Sequence, residues 1–205
     1  SNRKVILLEG GGFNVESQMQ ALYQGKSLDR PYYPLQSVAL HYFGGTTGHW
    51  AGFCSTFDPI DFEERSWVAH SGWPFDRAHL DPYYARSAKF LELESTDFSI
   101  DSVLKEDPER QKLPLDESVF FHKVWRFSAP TRVGTVYRDP IVNAPNVHLY
   151  TYANAVELVP NEGVTAIESV RAKTIDGKEH RVRARHYVIA CGAIHNARLL
   201  LASNS

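Results

Sequence analysis

The sequence predicts an α/β fold built around a nucleotide-type domain, and two regions carry that prediction. Lys4 to Leu8 (KVILL) is a short run with four consecutive apolar residues, followed by Glu9 and three glycines, which is typical of a buried parallel strand that ends in a turn. His186 to Ala190 (HYVIA) is a second short predicted strand, separated by the small residues Cys191 to Ala193 from a helical period over Ile194 to Leu201. Strand, tight turn and helix in this order indicate a nucleotide-binding crossover.

Composition excludes several classes of protein. Hydrophobic residues make up 43% of the 205 residues, enough for a globular core, and the net charge of −2 gives no reason to expect a nucleic-acid partner. The nine histidines and two cysteines show no metal-ligand spacing, so no metal site is predicted. No apolar run approaches the ~20 residues of a membrane-spanning helix, so we expect no transmembrane segment.

Glu9 stands where an acidic residue binds ribose in dinucleotide folds, at the carboxyl end of a strand. A carboxylate can accept two hydrogen bonds from vicinal hydroxyls; the alternative is a solvated glutamate at a strand end. The phosphate-binding glycine fingerprint should precede this residue by ~20 positions. The chain starts three residues before the predicted strand, so we expect that fingerprint to be missing, and Gly10 to Gly12 follow the acid rather than precede it.

The stretch His41 to Cys54, HYFGGTTGHWAGFC, combines glycines, threonines, a histidine and a tryptophan. Glycines let a backbone approach a ligand closely or adopt positive φ, so the run suits a large, planar, phosphate-bearing cofactor. The alternative is a glycine-rich turn between buried elements in which His49 and Trp50 are simply packed.

The middle of the chain is less regular. Asp76 is a plausible N-cap for a helix over Arg77 to Leu93, with its firm start near Pro82. Glu94 to Glu117 is polar without a clear period, which predicts an exposed excursion. The aromatics of Phe120 to Pro140 either line a pocket or lie on strands with outward arginines.

The last third predicts an antiparallel meander, with an Asp176-Gly177 hairpin turn. Its predicted strands are Val147 to Thr151, Ala155 to Val159, Ala166 to Thr174 and His180 to Val182. We predict that residues 1–57 and 146–205 are two parts of one cofactor domain, and that residues 58–145 are an inserted cap or substrate-side segment.

Four motifs, in this order, resemble the glucose–methanol–choline family of flavin oxidoreductases. VILLEGGG resembles the segment whose glutamate holds the ribose of FAD, and FGGTTGHW resembles the loop that wraps the pyrophosphate and flavin. SGWPFDRAHLDPYY is similar to the family's Trp-Pro and Pro-Tyr-Tyr segment, and YVIACGAIHNARLLLASNS to its mid-chain strand-turn-helix. The resemblance implies a Rossmann-like FAD-binding domain, incomplete in this sequence, with an antiparallel β-meander and an inserted irregular and helical segment.

The resemblance also implies that FAD is the cofactor and that particular residues bind it. Glu9 would hold the ribose, Gly44 to Thr47 the pyrophosphate and flavin, and the Val156 backbone the adenine. The implied cofactor-binding residues are Glu9, Gly10, Gly11, Gly44, Gly45, Thr46, Thr47, His49, Trp50, Val156, Ala190, Cys191 and Gly192.

Within the family, the motifs are most similar to the sugar-oxidising branch with pyranose 2-oxidase and the large subunits of fructose and gluconate dehydrogenases. In pyranose oxidases a histidine in the equivalent loop is bonded covalently to the flavin, and His49 stands in that position. The alternative is that His49 only packs on the ring or forms a hydrogen bond near it. The implied reaction oxidises a CH–OH group of a sugar or other alcohol by hydride transfer to flavin N5. Oxygen, a quinone or a cytochrome subunit would accept the electrons.

The family's catalytic base is a histidine near the C-terminus. The resemblance therefore places it beyond Ser205 and leaves the catalytic residues of this chain unknown. His195 is expected only to pack or cap in the first turn of its helix. We expect the chain to be the central fragment of such an enzyme. The alternative is an inactive folded fragment or binding module that lacks the phosphate-binding loop and the catalytic histidine.

Overall fold

The structure, a computed structural model, describes residues 3–28 and 31–204. The described residues divide into two compact units, one formed by those within 1–48 and 132–205 and the other by residues 49–131. The predicted domain boundaries after residues 57 and 145 stay a prediction. No helix in the described part of the chain is long and apolar enough to cross a membrane.

The described residues form short helices and small sheets. The strands there are β1 (Val5–Leu8), β2 (Phe53–Cys54), β3 (Arg126–Phe127), β4 (Val147–Tyr150), β5 (Asn154–Pro160), β6 (Ile167–Lys173) and β7 (Glu179–Val182). The α-helices are α1 (Ser17–Gln20), α2 (Leu35–Val38), α3 (Asp81–Phe90), α4 (Ile100–Glu106), α5 (Val133–Val136), α6 (Arg138–Val142) and α7 (Ala193–Ala202). This mixture is consistent with the α/β class; the Rossmann-like character stays a prediction.

The strand predicted before Glu9 is present as β1, and it pairs in parallel with β4. Two expectations about these strands are wrong. Val5 and Ile6 are 41% and 44% exposed, so β1 is not buried on both faces. β4 does not belong to the meander, because it forms a separate two-stranded sheet with β1. Alternation of apolar and polar residues predicts that a strand forms, but it does not predict the partner of that strand. Tyr152, with a φ of 56°, separates β4 from β5.

The remainder of the predicted meander is confirmed. β5, β6 and β7 form an antiparallel three-stranded sheet, and Gly177 turns the β6–β7 hairpin with a φ of 87°. Leu158 and Val170 of this sheet pack with Leu199 of α7 to form the buried core of the first unit.

The strand predicted over His186 to Ala190 is absent: these residues pair with no strand of the described chain. A parallel strand is held by ladder hydrogen bonds to a neighbour, and an apolar run does not by itself supply one. Val188 is 89% exposed as a result. The helix predicted over Ile194 to Leu201 is confirmed as α7.

In the second unit, the predicted start of the long helix is confirmed. Asp76 accepts a hydrogen bond from the His79 N–H across a 3₁₀ turn over Arg77–Leu80, and α3 follows, with Pro82 in its first turn. Glu92, with a φ of 56°, lies just beyond the helix end.

The expectation for Glu94 to Glu117 is partly wrong, because α4 lies within it, capped by Ser99, which accepts from the Ser102 N–H at 3.2 Å. Arg126 of β3 does not point outward, since its guanidinium forms an ion pair with Glu106 of α4 at 2.6 Å. This pair joins residues 20 positions apart, so local sequence patterns could not predict the helix that it supports.

Candidate functional site

Glu9 lies directly after β1 and is held by its own turn. Its carboxylate accepts a hydrogen bond from the Gly11 N–H at 2.8 Å, and its backbone carbonyl accepts one from the Ala153 N–H. Partial burial raises the pKa of Glu9, while the Gly11 N–H and the nearby His41 pull it back down. The residue is therefore an oriented, half-buried acceptor at the carboxyl end of a parallel strand, where open α/β sheets bind their ligands.

Gly10 and Gly11 have a packing role that the sequence did not reveal. A Cβ on Gly10 would lie 2.1 Å from His41 Nε2, and one on Gly11 would lie 2.3 Å from the His41 carbonyl oxygen. His41 is buried and its Nδ1 lies 2.8 Å from the Met19 carbonyl. Because a carbonyl only accepts, Nδ1 carries the proton. Protein atoms, rather than a ligand, occupy the side of these glycines where a Cβ would project.

An aromatic stack stands beside Glu9. Tyr23 lies between the rings of His41 and His195, with centroid separations of 4.4 and 3.7 Å. Burial raises the pKa of Tyr23 to about 12, and the charges of Glu9 and Cys191 add to this effect. Partial burial lowers the pKa of His195, which favours its neutral form. Sequence reasoning missed Tyr23 and His41, since nothing local shows that they meet.

The Gly44–Thr47 segment forms a tight turn that is closed by its own hydroxyl groups. Thr47 Oγ1 donates to the Gly44 carbonyl at 2.6 Å and accepts from the Val133 N–H at 3.1 Å. Thr46 Oγ1 accepts from the Leu40 N–H at 3.4 Å. The Thr47 hydroxyl thus both donates and accepts inside the protein, whereas Thr46 is exposed and its hydroxyl only accepts there. A ligand here would meet backbone groups and the Thr46 side chain.

Two glycines of this turn differ in their surroundings. Gly44, with a φ of 93°, lies against helix α5, and a Cβ there would be 2.3 Å from the Gly134 nitrogen. Gly45, with a φ of 54°, has its nearest neighbour, the Leu40 carbonyl oxygen, at 3.7 Å. Gly134 was missed by sequence reasoning, although a glycine inside the RVGTV segment is the kind of signal that marks a close approach.

His49 and Trp50 fall in the second unit, so the predicted cofactor loop is divided after Gly48. His49 is exposed. Trp50 is half-buried, and its indole N–H donates to the Thr131 carbonyl at 3.0 Å. The structure therefore groups these two residues with residues 49–131 and the other predicted site residues with the first unit.

Val156 lies at an irregularity of β5. Ala155 pairs with Ala172 and Glu157 pairs with Arg171, so Val156 is an extra residue without an opposite partner. Such a bulge interrupts the ladder and leaves the extra residue unpaired. A backbone contact to a ligand, as the resemblance implies for Val156, is compatible with this geometry.

The turn Ala190–Gly192 is exposed and open. Gly192 has a φ of 85°, and no atom lies within 4 Å of its Cβ position. Asn196 of α7 steadies the turn by accepting from the Cys191 N–H at 2.8 Å and donating to the Ile189 carbonyl at 3.3 Å. Asn196 is a further residue that sequence reasoning missed.

No protein-family model matches the chain. A curated relative, 6'''-hydroxyparomomycin C oxidase of Streptomyces lividus, is 26% identical over an alignment that covers 79% of this chain and 37% of that oxidase. The chain therefore spans little more than a third of the length of the relative that it matches.

Proposed function

We propose that this chain is part of an FAD-dependent oxidoreductase that oxidises a CH–OH group of a sugar or other alcohol by hydride transfer to flavin N5. The observation that carries the proposal is the Glu9 carboxylate, oriented by the Gly11 N–H at the carboxyl end of a parallel strand. A carboxylate in that place can accept both hydroxyl hydrogens of a ribose.

Other predicted cofactor-binding residues of the first unit have local geometry compatible with the rest of an FAD molecule. The bulge at Val156 leaves backbone groups outside the β-ladder for the adenine. Gly192 has open space on the side where a Cβ would project, and it immediately precedes the ten-residue helix α7. The amino-terminal end of a helix favours an anion, which suits a pyrophosphate. The Gly44–Thr47 turn would contribute backbone contacts and the exposed Thr46 side chain, because the Thr47 hydroxyl already donates to the Gly44 carbonyl and accepts from the Val133 N–H.

FAD supplies the hydride acceptor in this chemistry. We assign the base that removes the hydroxyl proton to a part of the longer protein outside this chain. His41 and His195 are stacked on Tyr23, so neither is proposed as the base. The name of the relative, which denotes oxidation of a hydroxylated compound, supports oxidation at a CH–OH group. Oxygen, a quinone or a cytochrome subunit remains the proposed electron acceptor.

Gel filtration after addition of FAD tests this proposal. The expected result is flavin absorbance that elutes with the chain; a colourless protein peak would contradict FAD binding by this chain and favour the alternative of an inactive folded fragment. If the flavin is attached through His49, absorbance will remain with the chain after acid denaturation and be lost in His49→Ala, but not in the exposed control His180→Ala. Release of all flavin on denaturation would indicate non-covalent binding.

Turnover separates an enzyme from a binding module. The longer protein, loaded with FAD and mixed anaerobically with sugars, is expected to lose its oxidised flavin absorbance as hydride reaches the flavin. If it binds FAD but no sugar or alcohol bleaches it, the alternative of a binding module replaces the proposed enzyme.

A further inference from the structure

Two neighbouring cavities in the second unit share one wall. The first has a volume of about 320 Å³ and the second about 630 Å³, both within the roughly 300–1,000 Å³ range of small-molecule sites. Pro59 and Arg77 line both cavities. We call the pair the 59/77 groove; its walls contain none of the predicted cofactor-binding residues.

Each cavity of the 59/77 groove exposes an aromatic ring. Phe57 in the first cavity and Trp73 in the second are both 58% exposed. The Trp73 ring packs on Phe75 at a centroid distance of 5.6 Å, and Phe75 packs on the buried Phe62 at 6.1 Å. Exposed rings that are supported from behind offer flat apolar surfaces, which match the C–H faces of saturated sugar rings.

The walls of the groove are predominantly acidic. Asp58 and Asp97 line the first cavity, and Glu63 and Asp76 line the second, whereas Arg77 is the basic residue that lines both. Arg77 already forms an ion pair with Asp81 at 3.3 Å, and Lys123 approaches Asp58 at 2.7 Å. Carboxylates still exceed basic groups, and charge complementarity favours a cationic ligand over an anionic one.

The wall formed by residues 96–99 is held in place before any ligand arrives. Arg126 Nε donates to the Asp97 carbonyl at 2.9 Å, while its guanidinium pairs with Glu106. The Asp97 carboxylate accepts from the Ser99 N–H at 2.8 Å, and hydrogen bonds from Ser99 lower the pKa of Asp97. A fixed, ionised carboxylate binds an ammonium group at little ordering cost.

We propose that the 59/77 groove binds an amino-bearing saccharide of at least two rings, with one ring against Phe57, another against Trp73, and the ammonium groups among the carboxylates. The identification of this saccharide as the substrate rests on the proposed function. The binding itself does not, because every group that carries it lies within residues 49–131.

Calorimetric titration of the 205-residue chain with two matched trisaccharides tests the proposal. A β-1,4-linked glucosamine trimer carries ammonium groups at about pH 6, and cellotriose has hydroxyls in their place. We expect the amino trimer to bind about tenfold more tightly or better, with an advantage that shrinks as salt is added. Equal affinities for the two trimers, or no binding of the amino trimer, would overturn the proposal.

Two pairs of variants locate the binding. Trp73→Ala is expected to weaken binding of the amino trimer by about tenfold, and Glu63→Gln by about threefold. Trp67→Ala, which removes a 76% exposed ring outside the groove, and Glu64→Gln should leave affinity unchanged. Thermal unfolding of each variant checks the fold. Binding that survives Trp73→Ala in a folded chain would contradict the assignment.

FAD titration of the same chain distinguishes the two proposals. Binding of the amino trimer without binding of FAD would contradict the proposed function and support saccharide binding by the 59/77 groove. Binding of FAD without binding of the amino trimer would contradict saccharide binding by the 59/77 groove and support the proposed function.

Discussion

Two glycine turns of the first unit have the same predicted role and opposite surroundings. At the turn after β1, a Cβ on Gly10 would lie 2.1 Å from the His41 ring. At the turn before α7, Gly192 has no atom within 4 Å of its Cβ position, and its φ of 85° is what requires glycine. The first turn is packed against protein, whereas the second is open.

This contrast separates two reasons for glycine that a sequence cannot separate. Close approach of protein to protein and close approach of protein to ligand both exclude a side chain. In the packed turn the glycines position Glu9 by bringing His41 and the Gly11 N–H next to it. In the open turn the glycine leaves space. We therefore propose that the Glu9 carboxylate and the open turn, rather than the packed glycines, would contact the ligand directly.

The largest expected effect is at Gly44, where a side chain would meet backbone. Gly44→Ala adds a methyl group 2.3 Å from the Gly134 nitrogen and forces a φ of 93° on alanine. Overpacking and backbone strain together should lower the free energy of unfolding by about 3 kcal/mol or more, measured by urea denaturation.

Gly177→Ala is the matched control for this variant. Gly177 also has a positive φ, of 87°, but no atom lies within 4 Å of its Cβ position. Gly177→Ala should lower the free energy of unfolding by about 1–2 kcal/mol, from backbone strain alone. Equal losses in the two variants would contradict the packing at Gly44.

Gly10→Ala should have the next largest effect, because its methyl group would collide with the His41 imidazole, which can shift only partly. We expect the free energy of unfolding to fall by about 1–3 kcal/mol. In a His41→Ala background the same change should cost much less. A double-mutant cycle by urea denaturation should therefore give a coupling free energy above about 1 kcal/mol. Additive losses would show that His41 does not fill the space beside Gly10.

Gly192→Ala should lower the free energy of unfolding by about 1–2 kcal/mol, from backbone strain alone. Truncating a neighbouring side chain should not reduce this loss, because no side chain contacts the Cβ position of Gly192. A double-mutant cycle with His195→Ala, one turn away in α7, should give no measurable coupling in urea denaturation. A coupling as large as that of Gly10 with His41 would show that the open turn is packed after all.

The smallest expected effect is the pH dependence contributed by Glu9. Burial raises its pKa in the folded chain, so protonated Glu9 is favoured by folding. Its contribution to stability is present below the unfolded value near 4.5 and is lost as pH rises through the raised folded pKa. Glu9→Gln keeps the acceptor for the Gly11 N–H without the charge.

In thermal unfolding, Glu9→Gln should thus match the native chain at low pH and become the more stable of the two towards neutral pH. Glu162→Gln, at an exposed turn, should show no such trend. If the native chain is instead more stable than Glu9→Gln at neutral pH, the expected sign of the Glu9 effect is wrong.

Local patterns predicted those parts of the fold that depend on neighbours in sequence. The strand before Glu9, the Asp176-Gly177 hairpin and the Asp76 cap each follow from adjacent residues. Features that depend on distant partners were missed. The run His186 to Ala190 lacks a ladder partner, and α4 is supported by Arg126 from 20 positions away.

The same limit applies to the candidate site. Glu9 and the glycine turns could be chosen from the sequence because residue type and spacing mark them. The positions of Tyr23 and His41 depend on how α1 and the turn after it fold beside β1, which no local pattern encodes. The bond from the Val133 N–H to the Thr47 hydroxyl, which joins residues 86 positions apart, was equally invisible.

Equilibrium titration of FAD, followed by quenching of flavin fluorescence, tests the central claim most directly. The native chain should bind FAD saturably, and Glu9→Ala should weaken binding by at least about tenfold, since it removes charged hydrogen bonds worth about 1.5–3 kcal/mol. The control Glu162→Ala should bind like the native chain. Absence of FAD binding to the native chain, or an unchanged affinity in Glu9→Ala, would contradict the account.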